Sequence, residues 1–143
     1  SPEKRLQRET SADNAMRQGV SDTAFTMMST IFAGEVDRQG PMAQRIYDMM
    51  VSAKPHAVAG ALRGMAARRD SRDVARSLAI PALVIAGEDD EAVGAELTGE
   101  LAKLIPSAQH VVISGAGHMP MVEQPDTLTE TLRAFLESLP AAR

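Results

Sequence analysis

The sequence predicts an α/β domain that follows a run of helices. Two short apolar runs rich in β-branched residues, 82–86 and 110–113, are each followed within two residues by glycine, which is typical of buried strands. Between them, residues 91–105 carry apolar side chains at helical spacing, and Pro106 ends the segment. A strand, a helix and a second strand in this order predict two parallel strands joined by a right-handed crossover.

The residues before this domain are predicted to be helical throughout, from 1 to about 73. Ser21 is a suitable N-cap for a helix that Gly34 ends. Pro41 and Pro55 each begin a further helix, since proline is favoured in the first helical turn. The sequence therefore predicts a helical domain over 1–73.

The rest of the chain, 74–143, is predicted to form a β-α-β-α domain. Residues 70–80 lead from the helices into the first strand. The last helix is predicted over 126–139, and its apolar residues fall on one face, as expected for a helix that packs against a sheet. These residues are Leu128, Leu132, Phe135, Leu136 and Leu139.

Polar residues follow both predicted strands. The first strand leads into Gly87-Glu88-Asp89-Asp90, and the second leads into Ser114-Gly115-Ala116-Gly117-His118. In open α/β sheets, ligands bind beyond the carboxyl ends of the strands. We therefore expect Asp90 and His118 to lie at one edge of the sheet, where they could face each other.

From about Ala61 onward, the chain resembles the C-terminal part of the α/β-hydrolase family, in particular its small esterases and lactonases. Four segments in order and spacing carry the resemblance: 61–70, 80–90, 115–118 and 123–125. It implies that Asp90 is the acid and His118 the base of a catalytic triad. It also implies a partial α/β-hydrolase fold, in which residues 1–73 form a helical cap before the last two parallel strands and their helices.

One departure from the family pattern concerns the loop of the acid. A proline commonly follows the acid in this family, but residues 91–94 contain none. Asp89 therefore remains a second candidate for the acid. Glu123 precedes Pro125 and is predicted to order the entry to the last helix, while His56 and His110 are predicted to be structural.

The triad that the resemblance implies lacks its nucleophile. In this fold a serine in a Gly-x-Ser-x-Gly turn precedes the acid and the base, and the histidine takes the proton of its hydroxyl. No serine before Asp90 has glycines at that spacing, Ser114 follows the acid, and the chain has no cysteine. We therefore expect an enzyme whose serine lies outside this chain, which alone would be inactive.

Seven of the nine methionines lie in the predicted cap, and two interpretations remain open. Methionine fills irregular gaps between short helices, and it also forms adaptable apolar binding surfaces. In the second interpretation, Met27, Met28 and Met50 of the cap and Met119 beside His118 contact an apolar, ester-like small molecule.

Composition excludes several partners. A net charge of −4 argues against nucleic-acid binding, which needs clustered Lys and Arg. No apolar run approaches the ~20 residues of a membrane span, and the absence of cysteine fits a reducing compartment, so a cytoplasmic protein is expected. Neither a metal nor a cofactor is predicted, because the sequence has no metal-ligand spacing of the His-x-x-x-His or Cys-x-x-Cys type.

Three alternatives to an esterase or lactonase remain. The same fold supports other chemistry, including dehalogenation, C–C bond hydrolysis and cofactor-free peroxidation. The second alternative is a non-catalytic interaction module, in which the free edge of the two strands pairs with another chain or a second copy. The third is an isolated, inert proteolytic fragment, for which exposed apolar surface and aggregation are expected.

Overall fold

The computed structural model describes residues 1–140, which form two compact units. The first unit comprises residues 1–29 and 37–70, and the second comprises 30–36 together with the chain from residue 71 onward. Within residues 1–140, no helix combines the length and the apolar character needed to cross a membrane.

The first unit is helical. Its elements are α1 (Pro2–Gln18), α2 (Ser21–Met28), α3 (Pro41–Val51) and α4 (Pro55–Ala67). Helix α1 packs against α4, and α2 packs against α3. Small buried side chains, including Ala12 and Ala15 of α1 and Ala59 of α4, let the backbones of the first pair approach closely.

Charged residues also join α1 to α4. The Arg63 guanidinium lies 2.7 Å from an Asp13 carboxylate oxygen and 3.6 Å from one of Glu9. Arg8 donates a hydrogen bond from Nη1 to the backbone oxygen of Met65, at 3.1 Å. Because these side chains are about half exposed, each ion pair contributes about 1 kcal/mol or less.

The second unit contains the sheet. Its elements are α5 (Arg72–Ser77), β1 (Ala82–Gly87), α6 (Ala95–Leu104), β2 (Ala108–Ile113), α7 (Pro120–Glu123) and α8 (Pro125–Glu137). The two strands pair in parallel, from Ala82 opposite Ala108 to Gly87 opposite Ile113. The predicted α/β class with two parallel strands is confirmed, and both strands end at the same edge of the sheet.

Two helices are shorter than the sequence predicted. Helix α2 ends at Met28 rather than at Gly34, and Ile31 and Phe32 are buried in the second unit instead of continuing the helix. Helix α6 begins at Ala95 rather than at 91. Gly94 has φ +87°, which a right-handed helix does not allow, so the chain before it forms a loop.

The predicted last helix is present, but it begins at Pro125 and ends at Glu137, and the separate short helix α7 precedes it. Its apolar face is only partly covered. Leu132 is 43% exposed and Leu136 is 63% exposed, and no residue of α8 is fully buried. Two strands therefore do not offer enough surface to cover this helix.

Candidate active site

The loops that follow β1 and β2 are joined by backbone hydrogen bonds. The N–H of Glu88 donates to the carbonyl of Ile113, and the N–H of Asp89 donates to the carbonyl of Ala116, both at 2.9 Å. These bonds continue the strand pairing into the loops. The segments that carry Asp90 and His118 are thereby held side by side at the carboxyl edge of the sheet.

Two glycines allow these loops to pack backbone against backbone. A Cβ added at Gly87 would lie 2.0 Å from the carbonyl oxygen of Gly117. A Cβ added at Gly117 would lie 2.6 Å from the nitrogen of Ala33 and from the carbonyl carbon of Phe32. Glycine at both positions is therefore required by close approach of the backbone.

Asp90 and His118 are in direct contact. Nδ1 of His118 lies 2.9 Å from Oδ2 of Asp90. Oδ1 of Asp90 accepts hydrogen bonds from the backbone N–H groups of Ala92 at 2.8 Å and Val93 at 3.0 Å. Both carboxylate oxygens are thus engaged, and the bonds to Ala92 and Val93 explain why residues 91–94 form a loop around the carboxylate.

The environment of Asp90 favours its charged form. Burial raises the pKa of this carboxyl, since its side chain is only 6% exposed. The hydrogen bonds from His118 and Val93, the charge of His118 and the hydrogen bond from Ala92 act in the opposite direction and outweigh burial. The net pKa lies below the ordinary value of 3.8, and Asp90 is ionised at neutral pH.

This ionisation fixes the tautomer of the histidine. A carboxylate only accepts hydrogen bonds, so Nδ1 of His118 is protonated and donates a hydrogen bond to Asp90. In a neutral imidazole, Nε2 then holds a lone pair and can accept a proton. The His118 side chain is 43% exposed, whereas Asp90 is almost fully covered. The pair therefore has the arrangement of a general base supported by a buried acid.

Of the two acid candidates, Asp90 is the one that contacts the histidine. Asp89 is exposed, and its backbone N–H donates the hydrogen bond to Ala116 that joins the two loops. His56 is exposed at the start of α4, and His110 is exposed on β2 with Nε2 at 3.5 Å from the Thr98 hydroxyl. The catalytic roles of Asp90 and His118 stay predictions.

The hydrogen bonds of several serines are local. The hydroxyls of Ser29, Ser52 and Ser77 donate to backbone carbonyls three residues earlier, and Ser114 donates to the carboxylate of Glu88. None of these four hydrogen bonds reaches His118.

Glu123 occupies a position that the sequence did not reveal. We expected it to order the entry to the last helix. In the structure its carboxylate accepts backbone hydrogen bonds from Gly117 and Met119, on either side of His118, and from Ala33. The sequence signal was the short spacing between Gly117 and Glu123, but the third donor is distant in sequence.

The predicted substrate-contacting methionines differ in exposure. Met27 is 44% exposed, Met28 is buried, and Met50 and Met119 are half-buried. Within the helical unit, Met28 lines an open surface pocket of about 370 Å³ together with Phe25, Ala43 and Tyr47. Among residues 1–140, there is no group of three His, Cys, Asp or Glu side chains placed to hold a metal ion.

The fold and the paired Asp and His define a protein of the α/β-hydrolase class. Residues 4–125 match the family model described as alpha/beta hydrolase fold, and the chain belongs to this family. The resemblance recognised in the sequence is thereby confirmed.

Solved structures of similar proteins include an esterase and a lactonase. A thermophilic esterase from Thermogutta terrifontis has 36% identity and a TM-score of 0.91, over 96% of this chain and 51% of the esterase. The enol-lactonase from Burkholderia xenovorans LB400 has 28% identity and a TM-score of 0.82, over 90% of this chain and 49% of the lactonase. The chain thus spans about half the length of these proteins.

A sequence relative with a curated name covers a shorter stretch. The pimeloyl-[acyl-carrier protein] methyl ester esterase of Xanthomonas axonopodis pv. citri is 40% identical over 73 residues, which are 51% of this chain and 29% of the esterase. The match therefore spans less than a third of that esterase.

Proposed function

We propose that this chain is the cap and C-terminal part of a serine-type hydrolase that cleaves carboxylic esters or lactones. The observation that carries the proposal is the 2.9 Å contact between Nδ1 of His118 and the buried carboxylate of Asp90. The names of the similar proteins, which include esterases and an enol-lactonase, support an ester-type substrate.

In the proposed reaction, His118 is the proton carrier. Nε2 takes the proton of a serine hydroxyl as that oxygen attacks the carbonyl carbon of the ester, and then gives it to the leaving alkoxide. Asp90 keeps the other ring nitrogen protonated and stabilises the imidazolium that forms. Water then attacks the acyl-enzyme by the same two proton transfers, which releases the acid and regenerates the serine.

The serine is proposed to lie outside this chain. Two features support this: the chain spans about half the length of the similar solved proteins, and the second unit leaves apolar side chains open to solvent. Val112 on β2 and Leu132 and Leu136 on α8 are among them. Such surface is normally covered by further strands and helices of the same fold.

Ester hydrolysis by this chain, alone and with a nucleophile-bearing partner, tests the proposal. We expect no turnover of p-nitrophenyl esters by the chain alone. We expect turnover after mixing with an N-terminal α/β-hydrolase segment that contains the Gly-x-Ser-x-Gly turn, because the triad is then complete. Turnover by the chain alone would contradict the proposal that its nucleophile lies elsewhere.

The same experiment also tests the competing hypothesis, a non-catalytic interaction module. The free edges of the two-stranded sheet can pair with a second copy of the chain. No turnover by the chain alone or after mixing, together with a stable homodimer in solution at micromolar concentration, would favour that module and reject the split triad. Other hydrolase-fold chemistry and a cytoplasmic location also remain predictions from the sequence.

We further propose that Met27, Met28, Met50 and Met119 contact the apolar part of the substrate. Met27 gives the cleanest test, because it is exposed and Met28 is not. In the full-length protein, Met27→Ala is expected to change the ratio of kcat/KM between long-chain and short-chain p-nitrophenyl esters several-fold, since apolar contact area is lost.

Met16→Ala is the matched control, because Met16 is an exposed methionine on α1 that is not among the proposed contacts. This variant should leave the ratio between the two esters unchanged. An unaltered ratio in Met27→Ala, with a lower melting temperature, would instead support a packing role for Met27.

A further inference from the structure

The carboxylate of Glu123 accepts hydrogen bonds from three backbone N–H groups. Oε1 accepts hydrogen bonds from Gly117 at 3.0 Å and Met119 at 3.1 Å, and Oε2 accepts one from Ala33 at 2.7 Å. Hydrogen bonds to an ionised acceptor are stronger than those between neutral groups. Glu123 is itself held at the end of α7, where its N–H donates to the carbonyl of Met119 at 3.0 Å.

The histidine lies between two of these donors. Its own N–H donates to the carbonyl of Ile31 at 2.9 Å. The successive N–H groups of Gly117, His118 and Met119 are therefore all hydrogen-bonded, two to Glu123 and one to the buried segment 31–33. The close approach of Gly117 to Phe32 and Ala33 fixes the same backbone from the other side.

We propose that Glu123 is a positioning residue, whose carboxylate holds the backbone of His118 so that its imidazole meets Asp90. The catalytic part of this inference rests on the proposed function. The contact between His118 and Asp90 is made by one hydrogen bond, and it depends on where the loop holds the ring. A misplacement of about 1 Å at a reacting group can lower the rate on the order of 100-fold.

The arrangement requires a carboxylate of this length. Both oxygens of Glu123 accept, and neither can be replaced by a donor without opposing an N–H group. A glutamine would turn its NH2 group toward Ala33 or toward Gly117 and Met119. An aspartate keeps the charge but is shorter by one methylene, so it cannot reach both sets of donors without moving the backbone.

Kinetics of Glu123→Gln in the full-length protein test this inference. We expect kcat to fall about 10- to 100-fold with KM changed about two-fold or less, because substrate contacts are kept while the base is misplaced. Glu130→Gln is the matched control, since Glu130 is an exposed carboxylate on α8. The control is expected to keep wild-type kcat.

A spectroscopic measurement gives a second readout that a merely structural role would not change. Histidine 15N chemical shifts report which ring nitrogen carries the proton, and the signals of His118 are assigned from a His118→Gln sample. We expect wild type to show the Nδ1–H tautomer and Glu123→Gln to show a mixture, since the contact with Asp90 is loosened. This readout does not require activity, so it tests positioning even if the proposed function fails.

Wild-type kcat and an unchanged His118 tautomer in folded Glu123→Gln would overturn the inference. If Glu123→Gln does not fold, Glu123→Asp is measured in the same way, because it preserves the charge. The proposed function fails separately, if His118→Gln keeps the full rate of ester hydrolysis.

Discussion

Replacing His118 with glutamine in the proposed hydrolase is expected to lower kcat for ester hydrolysis on the order of 10⁵-fold. Glutamine keeps a polar side chain at this position but has no group that can take up and return a proton near neutral pH. The serine hydroxyl then loses its base and the leaving group loses its acid. Steady-state kinetics with a p-nitrophenyl ester measure this effect, with circular dichroism to verify folding.

His110→Gln is the matched control for this experiment. His110 is an exposed histidine on β2 that contacts the Thr98 hydroxyl rather than Asp90. Its replacement is expected to leave kcat near the wild-type value. Hydrolysis at the full rate by His118→Gln would exclude this histidine as the base.

Replacing Asp90 with asparagine is expected to lower kcat on the order of 10⁴-fold. Asparagine has a single carbonyl oxygen, which accepts the hydrogen bonds from the N–H groups of Ala92 and Val93. Its NH2 group then faces Nδ1 of His118 and donates to it. This places the imidazole proton on Nε2, so the nitrogen that should accept the serine proton is already protonated.

The same substitution is expected to alter the dependence of stability on pH. The pKa of Asp90 is lowered in the folded protein. Its charged form therefore stabilises the fold at pH values above the pKa of the unfolded chain, which is near 3.8. That contribution is lost as the pH falls through the lower folded value. The difference in free energy of unfolding between wild type and Asp90→Asn should therefore be present at about pH 5 and shrink below about pH 4.

Urea unfolding at several pH values measures this difference, with Asp89→Asn as the control. Asp89 is the exposed neighbour of Asp90 and is not the carboxylate in contact with His118, so its replacement is expected to leave the free energy of unfolding near the wild-type value. An equally large difference between wild type and Asp90→Asn at low and neutral pH would show that the charge of Asp90 does not stabilise the folded state.

Elements with local signals were predicted well from the sequence. Helices α3 and α4 begin at Pro41 and Pro55 as expected, because proline favours the first helical turn whatever the surroundings. Both apolar runs form strands, each extended by one or two residues at one end. These features depend on side chains close together in sequence, so a single sequence contains the information.

Prediction was wrong where a competing partner, either distant or close in sequence, overrides the helical preference. The apolar spacing through Ile31 and Phe32 favoured a longer α2, but these residues are buried in the unit that contains the sheet. The spacing through Val93 favoured a longer α6, but the Asp90 carboxylate accepts hydrogen bonds from two N–H groups of the loop. Helical periodicity does not report such competing partners.

The sequence by itself determined the α/β class, the family and the two polar residues that come together at the edge of the sheet. Parallel pairing explains this, because it brings the carboxyl ends of both strands to one edge. Only the tertiary structure decided the partners of Glu123, whose carboxylate accepts a hydrogen bond from Ala33 across 90 positions of sequence. It also decided which carboxylate meets His118, since distances of a few ångströms between loops depend on packing that no local pattern encodes.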